Sequence, residues 1–221
     1  RLSIDPRKIT WPRTLNVNDR ALREIALGEG TGGRAGQFVI TEASEIMAVL
    51  ALAMDRQDLR ERLSRIVVGL TTSGKPVRAE ELGCVGAMEV LLKDALKPNI
   101  VQTLEGTPAF VHTGPFGNIA HGNCSIISDA IALRCADFVV TEAGFGSDLG
   151  AEKFFNIKCR VSGNSPAVAV VVATLRALKL HGGGGVAKAG VPLPISLTGP
   201  NQEALSKGIA NLEQHVANVR A

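Results

Sequence analysis

The sequence predicts an α/β fold built on a mostly parallel sheet with helices on both faces. Short β-branched runs alternate along the chain with longer segments of helical periodicity. Residues 168–172 read VAVVV, the near-continuous apolar run expected of a parallel strand buried on both sides. Three runs lead into unusual loops: AFVH into TGPFGNIAHGN, FVVTEAG into FGSDLG, and AVVVAT into LRALKLHGGGG.

The elements follow in chain order. QFVIT (37–41) reads as a strand, and ASEIMAVLALAM (43–54) as a helix with Ser44 near its start. DRQDLRERLSRI (55–66) is a second, charged helix. Its Arg56, Arg60, Arg62 and Arg65 interleave with Asp55, Asp58 and Glu61, as on a solvated face. IVVGLTTSGKPV (66–77) predicts a strand, a Ser-Gly turn and a short return. RAEELGCVGAMEVLLKDAL (78–96) predicts one amphipathic helix ended by Pro98. TPAFVH (107–112) is a strand, and GPFGNIAHGNCSIISDAIALRCA (114–136) a glycine-rich loop opening into a helix. DFVVTEAG (137–144) is a strand, and DLGAEKFFNIKCR (148–160) is helical at its start. AVAVVVATLRALKLHGG (167–183) begins as a fully buried strand. In the tail, Leu205, Ile209, Leu212 and Val216 are spaced by four, three and four residues, which is one helix face. Residues 28–36 and 182–185 are glycine-rich and predict loops.

Composition narrows the function. Of 221 residues 45% are hydrophobic but only 4% aromatic, with one Trp and no Tyr, so the core must be aliphatic. The net charge of +3 is scattered, with no basic-aromatic stripe, which argues against a nucleic-acid partner. No apolar run is long enough to span a membrane. The four cysteines show no C-x-x-C spacing and are expected as buried free thiols in a reducing compartment, not as disulfides or zinc ligands. The chain opens on Arg1, with no Met and no signal-like segment, as a fragment or processed chain would.

Ligands of open parallel sheets bind beyond the carboxyl ends of the strands, so the three loops are expected to converge on one rim. Their glycines suit a phosphate or nucleotide, with Gly122 and Gly146 where helices begin. Phe145, between Gly144 and Gly146, admits two readings: a ring that stacks on a purine or pterin, or a plug beneath a turn. His121 at a loop–helix junction either binds an anion or moves a proton, or is a structural hydrogen-bonder. His112 ends a strand, His181 precedes a glycine run, and His215 reads as structural or solvated. No cluster has metal-ligand spacing, and no G-x-S-x-G elbow or G-x-x-x-x-G-K-[ST] phosphate loop occurs. A dinucleotide oxidoreductase fits poorly, because no G-x-G-x-x-G follows a first strand.

TPAFVHTGPFGNIAHGN, VVTEAGFGSDLGAEKFFNIKCR and VATLRALKLHGG together resemble formate–tetrahydrofolate ligase, the 10-formyltetrahydrofolate synthetase family. ITWPRTLNVNDRALREIALG, ASEIMAVLALA and LLKDALKPNIVQTLEGTPAF are similar too, so the likeness covers nearly the whole chain. FFNIKCR and HGGGGVAKAGVPLP look more like the synthetase part of eukaryotic one-carbon tetrahydrofolate synthases. The resemblance implies a relative of the P-loop nucleotide hydrolases that lacks its phosphate-loop segment. Residues 1–221 would be a central fragment with a small inserted subdomain around residues 40–100. It implies ATP-dependent ligation of formate to tetrahydrofolate through formyl phosphate, with Mg2+ accompanying ATP, a monovalent cation, and a homo-oligomer in the complete enzyme. The setting implied is cytoplasmic, or mitochondrial or plastid. His121 falls at the catalytic, formyl phosphate position, and Glu142, Gly144, Phe145 and Gly146 at a loop beside nucleotide and folate. The upstream phosphate loop and its lysine are missing, so the isolated segment is expected to be inactive. The rival reading is a catalytically incompetent module that binds a nucleotide or a partner.

Overall fold

The structure, a computed structural model, describes residues 2–17, 19–28 and 33–221. Its strands are β1 (Ile4–Ile9), β2 (Arg13–Thr14), β3 (Ile25–Leu27), β4 (Arg34–Gly36), β5 (Phe38–Val39), β6 (Val67–Thr71), β7 (Pro76–Arg78), β8 (Asn99–Gln102) and β9 (Pro108–Val111). They form one three-stranded antiparallel sheet, β1-β6-β7, and three two-stranded ribbons. Among the described residues only β2 and β5 pair in parallel. The chain is therefore α/β, but the expected large parallel sheet is corrected to small, mostly antiparallel ones. Residues 138–144 and 168–173, both expected as strands, form none. Their apolar side chains have nothing to pair with: Phe138 is 91% and Val172 86% exposed. A strand exists only with a neighbour to complete its ladder, and among the described residues neither segment has one.

The first helices form where the sequence places them. Ser44 Oγ accepts from the Met47 N–H and caps α1 (Glu45–Leu52). Asp55 does the same for α2 (Arg56–Ser64) through the Asp58 N–H. The long helix expected over 78–96 is broken. A 3-10 turn over Ala79–Leu82 ends at Gly83, whose φ of +67° is left-handed, and α3 (Val85–Leu92) starts afresh. These helices and the β6–β7 hairpin close over a core of Leu50, Leu59, Leu63, Ile66, Val77 and Val85. The antiparallel β8–β9 ribbon then leads toward α4 (Ile126–Cys135), capped by Ser125. The middle of the glycine-rich loop at 28–36 lies outside the described residues, and β3 and β4 flank it.

After Gly146 the chain coils through two wide π-type stretches, Ser147–Ala151 and Phe154–Cys159, ending in a helical turn α5 (Arg160–Ser162). The helical region thus runs well beyond its expected start. Then follow α6 (Leu175–His181), α7 (Ile195–Thr198) and the long α8 (Gln202–Arg220). Helices α6 and α8 meet backbone to backbone. A Cβ at Gly208 or Gly182 would collide with the carbonyl of Leu178 or Ala204 respectively. The thiols are unpaired, but they are not buried as expected: Cys84, Cys124 and Cys159 are half-buried and Cys135 is exposed. Among the described residues no helix is long and apolar enough to cross a membrane.

Candidate functional site

Two of the three loops do meet. The first leaves β9 at His112. That ring is buried, its Nε2 2.7 Å from the Ala95 carbonyl and its Nδ1 2.6 Å from Ser125 Oγ. A carbonyl only accepts, so Nε2 carries a proton there, and Nδ1 holds the hydroxyl of the residue that caps α4. His112 is thus a structural bracket. Thr113 follows with φ of +57°, a strained value for a β-branched residue. The second loop, 142–153, lies against the first. Asn123 Nδ2 donates to the Glu142 carbonyl at 3.4 Å, and Lys153 Nζ to the Gly117 carbonyl at 2.5 Å. A Cβ at Gly122 would collide with the Gly117 backbone, and one at Gly150 with the Gly144 carbonyl.

Phe145 sits at this junction. Its φ is +67°, left-handed, which for an aromatic residue costs about 1–3 kcal/mol. The ring rests on Gly117, 3.0 Å from where a Cβ would stand, and is 73% exposed. Among the described residues the ring plugs no core. Glu142 is exposed and contributes its carbonyl to the loop contact. Gly144 and Gly146 give the backbone its close approaches, and the Gly146 carbonyl collects the N–H groups of Leu149, Gly150 and Ala151.

His121 is buried beneath the junction. Burial, then the ammonium groups of Lys158 and Lys153, lower its pKa from 6.5 to about 4, so the imidazole is neutral at physiological pH. Positive charge comes from the lysines instead. Lys158 is 1% exposed, with its Nζ 2.6 Å from the Asp129 carboxylate on α4 and 5.5 Å from the Phe154 ring centroid. The pair is an ion contact without good hydrogen-bond geometry. Among the described residues, four buried side-chain atoms lack a hydrogen bond: Thr113 Oγ1, His121 Nε2, Asn123 Oδ1 and Lys158 Nζ. Each such orphan costs about 1–3 kcal/mol, and all four belong to these two loops or to the coil that follows them. The arrangement gathers buried donors and acceptors and a buried lysine–aspartate pair beneath an exposed aromatic ring.

The third loop does not join them. Gly184 packs on the Lys179 carbonyl, Ala204 and Leu197, and His181 ends α6. Two surface hollows, one bordered by Arg60, Ser64 and Glu80 and one by Leu212, Val216 and Ala217, share no lining residue with the junction. Among the described residues no group of three His, Cys, Asp or Glu side chains could hold a metal ion.

Sequence reasoning missed Lys158, Asp129 and His215. Lys158 had a visible signal, a lone cation in the apolar run FFNIKC. His215 had one too. It lies three residues after Leu212 and next to Val216, on the buried face of α8, where its Nδ1 stands 2.6 Å from Ser147 Oγ.

Comparison with known proteins gives the family. The profile of formate–tetrahydrofolate ligase matches residues 1–221. The chain is 57% identical to the cytoplasmic C-1-tetrahydrofolate synthase of Homo sapiens, covering 100% of this chain and 24% of that protein. It is 56% identical to formate–tetrahydrofolate ligase 3 of Rubrobacter xylanophilus, over 99% of this chain and 39% of the relative. A ligase of Saccharopolyspora erythraea is 55% identical over 100% and 40%. The chain belongs to the formate–tetrahydrofolate ligase family, and it spans about two-fifths of those bacterial relatives and a quarter of the human one.

Proposed function

We propose that this chain is the central part of an ATP-dependent ligase that joins formate to tetrahydrofolate. A formate oxygen attacks the γ-phosphorus of ATP and ADP leaves. A folate nitrogen then attacks the formyl carbon and phosphate leaves, giving 10-formyltetrahydrofolate. The observation that carries the reading is the set of buried atoms without hydrogen bonds at Thr113, His121 and Asn123, beside the buried Lys158–Asp129 ion pair, in a chain of this family.

The residues divide the work by their chemistry. His121, neutral, offers Nε2 as a hydrogen-bond partner or proton acceptor at the formyl phosphate, and Lys158 and Lys153 supply the field that favours its negative charge. Phe145 offers its exposed face to the purine or pterin, and Glu142, Gly144 and Gly146 shape the backbone around it. Mg2+ and a monovalent cation are implied by the family resemblance, and among the described residues no group of three His, Cys, Asp or Glu side chains could hold a metal ion.

The rest of the ligase would complete both site and fold. Residues 138–144 and 168–173 would become inner strands of the parallel sheet, paired with strands from the remaining polypeptide, and residues around 40–100 would form an inserted subdomain. A cytoplasmic homo-oligomer is the expected setting.

In the full-length ligase, His121→Ala should lower turnover at least about tenfold, with His121→Asn as a smaller change that keeps a polar group. Wild-type turnover in both would leave His121 a structural hydrogen-bonder and remove the reading. The isolated 221-residue chain should not turn over formate, ATP and tetrahydrofolate.

A further inference from the structure

The strained Phe145 backbone must be held by something. A residue in a sparsely populated φ region persists only where its surroundings over-determine it. Two residues later, Ser147 Oγ lies 2.6 Å from His215 Nδ1 and accepts from Asn218 Nδ2 at 3.2 Å. Both partners come from the last turns of α8, some seventy residues further along the chain. The same imidazole stands against Gly146, its Cε1 3.1 Å from where a Cβ would lie. The other half of α8 is anchored on α6 by the side-chain-free contact at Gly208. Helix α8 is thus fixed at one end and grips the Phe145 loop at the other.

We propose that His215 is a positioning residue for the Phe145 loop, holding the ring in its presenting orientation through the Ser147 hydroxyl. The proposal rests on the reading of that loop as ligand-binding. His215 touches no reacting atom. Its loss frees Ser147, the 144–146 backbone relaxes from the left-handed conformation, and the ring no longer waits in place, so binding weakens more than the chemical steps slow.

The test is steady-state kinetics and a thermal melt of the full-length ligase. His215→Ala should raise KM for ATP or tetrahydrofolate about three- to tenfold, with kcat falling less than about twofold. His215→Asn, whose amide nitrogen can stand near the Nδ1 position, should restore most of the loss. Ser147→Ala, which also loses the Asn218 bond, should weaken binding at least as much as His215→Ala, and the double variant should be no worse than Ser147→Ala alone, since that change already breaks the His215 link. Phe145→Ala serves as the reference. If it raises KM while His215→Ala does not, the positioning role is overturned and the site reading stands. If Phe145→Ala leaves both KM values alone, the site reading fails and the positioning role with it. A fall in melting temperature and active fraction at constant KM, unrescued by Asn, would mark His215 as purely structural and also overturn the proposal.

Discussion

Residues 45–92 and residues 112–174 treat the same kinds of side chain in opposite ways. In the first region, most apolar groups close on one another: Leu63 is wholly buried, and Leu59 and Ile66 keep 2% exposure, while Val90 and Leu91 at the end of α3 stay outside. In the second, Val140 is 97% and Val170 82% exposed, and apart from Ile126 the large buried side chains are polar or charged. The first region satisfies itself locally, with capped helices and a hairpin over one core. The second is built from groups that lack partners: apolar segments without a sheet and polar atoms without hydrogen bonds. What separates them is self-sufficiency, and the unsatisfied region is the one that carries the candidate site.

The contrast can be broken in several places. Leu63→Ala should cost the most, up to about 5 kcal/mol by denaturant unfolding, because it opens a cavity in a closed core. A loss under about 1 kcal/mol would mean that the core is not closed. Lys158→Met should cost about 3 kcal/mol, since it leaves the Asp129 carboxylate, itself only partly exposed, without its cation. Adding Asp129→Asn should recover part of that loss. Recovery marks the second region as held by charge rather than by apolar packing.

Acid should reach the second region through His121. The unfolded chain takes up the proton near 6.5 and the folded one near 4, so the unfolded state binds more protons between those values. Stability is therefore full above about 6.5 and is lost as pH falls through about 4. His121→Gln should flatten that slope in a pH series of melts, and an unaltered slope would remove His121 as its source. The smallest effect is expected at Val170, where Val170→Thr in the 221-residue chain should change stability by no more than about 0.5 kcal/mol, as at an exposed position.

The same contrast governs what the sequence revealed. Ser44 announced its helix because a cap acts within one turn, and the Ser-Gly turn announced the β6–β7 hairpin for the same reason. The break at Gly83 was hidden by apolar periodicity that continues across it. FVV and VAVVV were read as strands because β-branched composition marks what a strand prefers, but pairing depends on a neighbour that composition does not supply. His121 and Phe145 were legible from the glycines around them. The Lys158–Asp129 pair and the Ser147–His215 link were not, because each joins residues far apart in sequence and only the folded chain brings them together. The left-handed backbone at Thr113 runs against its residue type, and no local pattern signals it.

The central claim is that the second region is half of something: strands and a site that the rest of a ligase completes. Amide hydrogen exchange, compared between the 221-residue chain and the full-length enzyme, tests it most directly. Residues 45–71 should be protected in both. Residues 138–144 and 168–173 should exchange fast in the short chain and become strongly protected in the full-length enzyme. Fast exchange of those segments in both proteins would contradict the account.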